Sequence, residues 1–272
     1  MTAARASSGP PKPKKLKLSP TRIKAFLFCP MYYRLEYIEK VGRFYHRSRP
    51  GFSFGSTLHN SLQQFHESGG TKAITVEELV QTMEASWQSA GFNSAEQEER
   101  FKEAGKALLH IYHAESVLRE DTTRVFLTEK MLQWDMGPFI LTGRIDRIDE
   151  HLPDGALEIV DYKSGMTEIS EEDVRGMLAM CIYQLLAKRN NPERRVFATI
   201  HALMGGVTAS AELDNAELDE LEDMLRGVGL QIMETDYDAV KPVHIPGSCP
   251  TCDFLPVCER YWKNKPADDG FE

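Results

Sequence analysis

Residues 139–165, FILTGRIDRIDEHLPDGALEIVDYKSG, set two apolar, β-branched runs around a turn carrying Pro153, Asp154 and Gly155. This pattern predicts two antiparallel strands joined by a short loop. Side chains alternate along a strand, so Asp161 and Lys163 face one way and Tyr162 the other. A loop centred between Pro153 and Asp154 puts Asp146 directly opposite Asp161, with Cα atoms about 4.5–5.5 Å apart. Two carboxylates and a lysine on one face make a poor core, because like charges opposite each other repel. A divalent cation removes the conflict: oxygen ligands from Asp146 and Asp161 suit Mg2+ or Mn2+, which can polarise a water for attack on phosphorus. Lys163 then lies where a cation stabilises the growing charge. A lone D-x-K is more often a solvated hairpin. Here Ile145, Ile148, Leu157, Ile159 and Val160 make both strands central, which favours the metal site.

The chain of 272 residues, 42% hydrophobic, has ample core for one or at most two domains. No apolar run approaches bilayer length and the amino terminus lacks an apolar h-region, so the expected location is the cytoplasm, with no membrane partner. The net charge of −9 hides an asymmetry: residues 1–50 carry +10 and the remainder −19. A basic amino-terminal region can follow a phosphate backbone, although residues 1–17 serve equally well as a solubilising tail.

Met1 to Lys17, rich in Ser, Pro and Lys, is expected to be disordered. Ser19 and Pro20 suit the cap and first turn of a helix that Pro30 stops at Cys29, and the aromatic segment MYYRLEYI follows. Residues 54–67 predict an amphipathic helix with Leu58, Leu62 and Phe65 on one face and His59 beside it. By spacing alone His59 is an ordinary half-buried histidine, and His66 reads as a surface residue. Residues 73–121 predict two helices around a loop near Gly91 to Asn93. Val125 to Trp134 predicts a strand, on which Glu129 reads as a surface or salt-bridged residue rather than a ligand. Ser170 is expected to cap one helix running to about Arg189, Arg195 to Met204 to form a strand, and Asp214 to cap a polar helix reaching about Tyr237.

Three of the five cysteines, Cys249, Cys252 and Cys258, form C-x2-C-x5-C, which in a reducing compartment suggests metal rather than disulfides. Cys181 lies among Met180, Ile182 and Leu185 and reads as core, whereas Cys29, at a helix end before a proline, can offer a fourth thiolate. Four cysteines accept either zinc or a 4Fe-4S cluster.

GRIDRID followed by IVDYKSG resembles the second and third motifs of the PD-(D/E)XK nuclease superfamily, in the branch typified by RecB and AddB nuclease domains and CRISPR-associated iron-sulphur exonucleases. LSPTRIKAFLFCPMYYRLEYI is similar to that branch's opening signature, and Gly55 with His59 matches its G-x-x-x-H motif. The resemblance implies an α/β, restriction-endonuclease-like core with a central mixed sheet flanked by helices. It implies a single nuclease domain over residues 18–262 with a helical insertion at 73–121, an iron-sulphur region at 249–258 plus Cys29, and tails at 1–17 and 263–272. It implies Mg2+ or Mn2+ held by His59, Asp146, Asp161 and the Tyr162 carbonyl, with Asp146, Asp161, Lys163 and Tyr183 as catalytic residues. Relatives usually carry a Gln four residues before that Tyr; here the position is Ala179, and Gln184 follows instead, which bears on how DNA is held. The remote Cys29 with three clustered cysteines is similar to the branch's 4Fe-4S staple, and zinc is the alternative. The implied function is metal-dependent hydrolysis of DNA, as an exonuclease on single strands or ends. Its setting would be DNA repair and recombination with a helicase, or CRISPR adaptation with its proteins. The rivals are a non-catalytic DNA-binding or scaffold subunit, and a zinc-holding interaction module.

Overall fold

The computed structural model describes residues 15–119 and 121–263. Most of the expected amino-terminal tail lies outside the described residues, as do 264–272. Lys15 to Lys17 do not behave as a tail. Lys17–Leu18 forms β1, pairing in parallel with the start of the central strand, and Lys15 reaches Asp135 at 2.6 Å. The apolar Leu16 and Leu18 explain this, since both pack into the core beneath that strand.

Ser19 accepts a hydrogen bond from the Arg22 N–H and opens α1 (Pro20–Phe28). Cys29 ends it in extended backbone, as expected of a residue before proline, and in turn caps α2 (Pro30–Tyr33), which runs into one π-helical turn at Arg34–Ile38. α3 (Pro50–Glu67) starts one turn earlier than its apolar stripe, because Pro50 is preset for a first helical turn. Residues 73–121 hold the two expected helices, α4 (Val76–Ala85), closed by a Thr75–Glu78 capping box, and α5 (Ala95–Arg119). β2 (Thr123–Asp135), β3 (Ile140–His151) and β4 (Leu157–Lys163) follow.

The helix expected from Ser170 to Arg189 is two. α6 (Glu171–Gly176) stops where Met177 turns extended, and α7 (Leu178–Asn190) restarts from it. Val174 and Met180 anchor the two pieces separately in the core, with Met177 packed between them and Gly176, a weak helix former, at the joint. β5 (Val196–Ala202), β6 (Val207–Ala211), α8 (Asn215–Glu234) and α9 (Leu255–Lys263) complete the described chain. β6 was not legible in the sequence, because VTASA has neither an apolar run nor strong alternation.

The sheet is mixed. β3 pairs antiparallel with β2 on one side; on the other it pairs in parallel with β1 near its start and antiparallel with β4 near its end; β4 and β5 are parallel, and β6 closes the edge antiparallel to β5. α1, α7 and α8 cover one face around Phe139, Leu141 and Leu186, while α3, α4 and α5 cover the other around Leu58, Leu62 and Tyr162. The layering is that of a helix-flanked α/β domain. Among the described residues no helix is long and apolar enough to cross a membrane.

Candidate active site

The β3–β4 register is the one predicted: Arg147 faces Val160, Ile148 faces Ile159, Asp149 faces Glu158 and Glu150 faces Leu157. The pairing stops there, one step short of Asp146 and Asp161, and the two strands part. The backbone that loses its ladder is taken over by side chains. Asp146 Oδ2 lies 3.4 Å from the Tyr162 N–H, and His59 Nε2 from α3 meets the Tyr162 carbonyl at 2.9 Å. His59 Nδ1 lies 3.1 Å from Asp146 Oδ2. Gly55, one turn earlier on α3, faces Ser164 so closely that a Cβ would sit 3.0 Å from its hydroxyl, so a small residue there lets the helix approach the end of β4.

On the far side, the β2–β3 pairing leaves Glu129 and Asp146 between the pairs Thr128–Arg147 and Lys130–Ile145. Glu129 adopts φ +45°, a left-handed conformation that is uncommon without glycine. Its carboxylate bonds Arg144 at 2.5 Å, as a salt-bridged strand glutamate should, but it also turns toward the split. His59, Glu129 and Asp146 each offer a ligand atom, all within 4.8 Å of one another. Imidazole nitrogen and carboxylate oxygens form a donor set that fits Mg2+ or Mn2+. Asp161 is not one of this trio but lies close enough for its charge to act on His59, with Lys163 Nζ 2.6 Å from its Oδ2. Glu129 is thus the group that sequence reasoning passed over. The signal for it was the β2 register, which a bulge between Val125 and Leu127 hides.

Electrostatics of the site follow from burial and crowded carboxylates. Burial opposes charge on His59, but the hydrogen bond and charge of Asp146, with Asp161, outweigh it and raise its pKa. Burial raises the Asp161 carboxyl, with Lys163 opposing and Asp146 reinforcing. From the opposite face α7 brings Tyr183, whose phenol is pushed up by burial and then by the charges of Asp161, Asp146 and Glu129. The structure therefore brings His59, Asp146, Asp161, Tyr162, Lys163 and Tyr183 to one split in the sheet. It does not bring Gln184 there: that side chain is fully buried and accepts the Leu213 N–H at 2.9 Å, while Ala179 packs in the core.

His66 is not the surface residue expected. It lies 2.7 Å from the Tyr112 hydroxyl and in contact with Arg147, a buried guanidinium that also bonds Tyr162 and Asp149. This network holds the Tyr162 ring on the side of β4 opposite Asp161.

The cysteines form a second centre. Cys29, Cys249, Cys252 and Cys258 all line one cavity with Tyr32 and Phe254. Burial raises the Cys258 thiol to about 11, reinforced by Cys29, Cys252 and Cys249 in that order, so the four thiols share one neighbourhood. Cys181 is elsewhere, buried, with its Sγ donating to the Arg175 carbonyl at 3.1 Å. Phe254 is buried against the Tyr32, Tyr45 and His46 rings, and Asp253 pairs with Arg49 at 2.8 Å, which docks the carboxyl-terminal segment on the amino-terminal helices.

The model of the PD-(D/E)XK nuclease superfamily matches residues 17–259, most of the chain. The chain belongs to this superfamily. Its fold is similar to that of a candidate exonuclease from Eubacterium rectale, with a TM-score of 0.54 and 13% identity over 93% of this chain and 90% of that one. The likeness to SSO0001 is weaker, with a TM-score of 0.35 and 12% identity over 86% of this chain and 98% of that one. Among curated proteins nothing matches.

Proposed function

We propose that this chain is a divalent-metal-dependent nuclease that hydrolyses DNA phosphodiester bonds, acting as an exonuclease on single strands or ends. The observation that carries the reading is the His59, Glu129 and Asp146 trio beside the Lys163–Asp161 pair. His59, Asp146 and Glu129 would hold Mg2+ or Mn2+, with Asp161 and the Tyr162 carbonyl completing the shell. A cation bound there supplies Lewis acidity toward water and phosphate. Lys163 orients the attacking water and stabilises the negative charge that develops on phosphorus. Tyr183, protonated at neutral pH, donates its hydroxyl toward substrate from the α7 side. The exonuclease preference is supported by the fold shared with the Eubacterium rectale protein.

The four cysteines are proposed to hold a 4Fe-4S cluster. Cys29, Cys249, Cys252 and Cys258 line one cavity and offer four thiolates, the number a 4Fe-4S cluster takes; a single zinc ion is the alternative. The setting proposed is the cytoplasm, on DNA, with a helicase or CRISPR adaptation proteins. A second reading, a non-catalytic DNA-binding subunit, draws on Ala179 and the buried Gln184, which leave α7 without the usual amide toward DNA. Incubating DNA with the protein tests the choice. Mn2+- or Mg2+-dependent release of nucleotides, abolished by chelator and restored by metal, supports the nuclease; retention of DNA without products under every metal supports the binding subunit.

A further inference from the structure

The stretch 40–52, KVGRFYHRSRPGF, follows the π-helical turn and runs into the first turn of α3, carrying Lys40, Arg43, Arg47 and Arg49 with no acidic residue. It also carries the two most exposed aromatic side chains among the described residues, Phe44 at 69% and Phe52 at 64%. The backbone between them is held on both sides. Tyr45 packs against the buried Phe254 ring and its hydroxyl accepts from Arg260 at 2.9 Å, while Arg49 pairs with Asp253 at 2.8 Å and His46 lies between Asp253 and Glu36. On the other side the Ser53 hydroxyl donates to the Ala90 carbonyl at 2.6 Å. Their neighbours pack inward, so Phe44 and Phe52 face solvent from a fixed frame.

Each ring sits beside a cation: the Arg43 guanidinium lies 4.6 Å from the Phe44 ring centroid and the Arg49 guanidinium 5.7 Å from that of Phe52. Asp253 answers Arg49, but Lys40, Arg43 and Arg47 are exposed with no carboxylate partner among the described residues. In a chain of net charge −9 this is a local concentration of positive charge around bare aromatic faces. Cations that meet phosphates, beside rings on which bases stack, are the two components of single-strand binding; a duplex keeps its base faces inside the stack. The surface also leads to the active site. On α3 the residues Ser53, Phe54, Thr57, Leu58, Ser61 and Leu62 are buried, and Phe52, Ser56 and His59 share the opposite stripe at i, i+4 and i+7. Seven residues make about two turns, so Phe52 stands about 10 Å along the helix from His59 on nearly the same side. At one phosphate per roughly 3.4 Å of stacked strand, this spans about three nucleotides.

We propose that Phe44 and Phe52 form a stacking platform for unpaired bases of a DNA single strand, with Lys40, Arg43 and Arg47 along its backbone, and that the strand runs from this platform along α3 to the split between β3 and β4. The identity of the polymer rests on the nuclease reading, but the platform predicts a separate property: affinity for single strands that depends on base faces. Base–aromatic contacts of this kind are worth on the order of tenfold in affinity per base.

The test is fluorescence anisotropy of full-length protein with an oligothymidine, its abasic counterpart and a blunt duplex, in chelator so that nothing is cut; digestion by wild type in Mg2+ or Mn2+ is measured alongside. Phe44→Ala and Phe52→Ala should each weaken oligothymidine binding by on the order of tenfold, while Phe44→Trp and Phe52→Trp retain it. These variants and wild type should bind the abasic strand and the duplex alike, within about twofold. Changing Arg43 and Arg47 together to Gln should weaken binding to both single strands and reduce the salt slope by about 1.4, since each phosphate contact on a single strand contributes about 0.7. Alanine variants that bind oligothymidine as wild type does, tryptophan variants as weak as alanine, or equal losses on the abasic strand and the duplex overturn the platform, and digestion by wild type then leaves the nuclease reading intact. Base-dependent binding by a wild type that cuts no DNA under either metal does the reverse. Folded wild type that binds no single strand overturns the platform, and digestion by the same preparation decides the nuclease reading separately.

Discussion

His59 carries two opposed requirements. Without metal, its bond to Asp146 favours the imidazolium; as a ligand it must be neutral. Because its folded pKa is raised, the stability it contributes to the metal-free protein is complete below the unfolded value of about 6.5 and is lost as pH rises through the folded value. Urea unfolding of wild type and His59→Asn in chelator should therefore show a difference that shrinks with rising pH across that window. A difference independent of pH would contradict the coupling to Asp146. In the same window Mn2+ must displace one proton, so Mn2+ affinity by titration calorimetry should climb about tenfold per pH unit until the imidazole is neutral. Asp146, Asp161 and Lys163 were legible in the sequence because strand alternation and one tight loop fix their faces. Glu129 was not, since its approach depends on a bulge and a left-handed backbone that no local residue announces. His66 and Arg147 were not either: their roles come from Tyr112 and Tyr162, which are distant in sequence.

Elements hold the split open by what they pack against. α8 lies over the start of the hairpin with Gly229 directly against the buried Phe139 ring, where a Cβ would overlap the ring. Alanine in a helix is favoured over glycine by about 1 kcal/mol, but overpacking a closed core costs about 1–3 kcal/mol. Steric overlap should win, and Gly229→Ala should lower the free energy of unfolding in urea by on the order of 1–2 kcal/mol. A stabilised variant would mean that α8 is not seated as described. The hairpin, α1 and the α4–α5 pair were readable from turn residues, caps and apolar periodicity. The break between α6 and α7 was not, because Gly176 alone is compatible with a continuous helix and Met177 is extended only through tertiary packing.

Across the whole molecule, the cluster proposed at the four cysteines would join segments more than two hundred residues apart, but it would not act alone. Phe254, Asp253 and the Arg260–Tyr45 hydrogen bond at 2.9 Å dock the same segment without it. Loss of the cluster should thus weaken the fold rather than abolish it. Cys258→Ser, purified without oxygen, should lose iron and visible absorption and melt at least about 4 °C lower, while Cys181→Ser keeps the iron and colour. A colourless wild type holding one zinc would contradict the cluster. The central claim is that the split between β3 and β4 hydrolyses DNA, and one comparison tests it most directly. End-labelled single- and double-stranded DNA is digested in Mg2+ or Mn2+ by anaerobically purified wild type and by Lys163→Ala, with Mn2+ binding measured for both. The account predicts products from wild type only, with Mn2+ still bound by the variant; equal digestion by both, or none by folded, metal-loaded wild type, would contradict it.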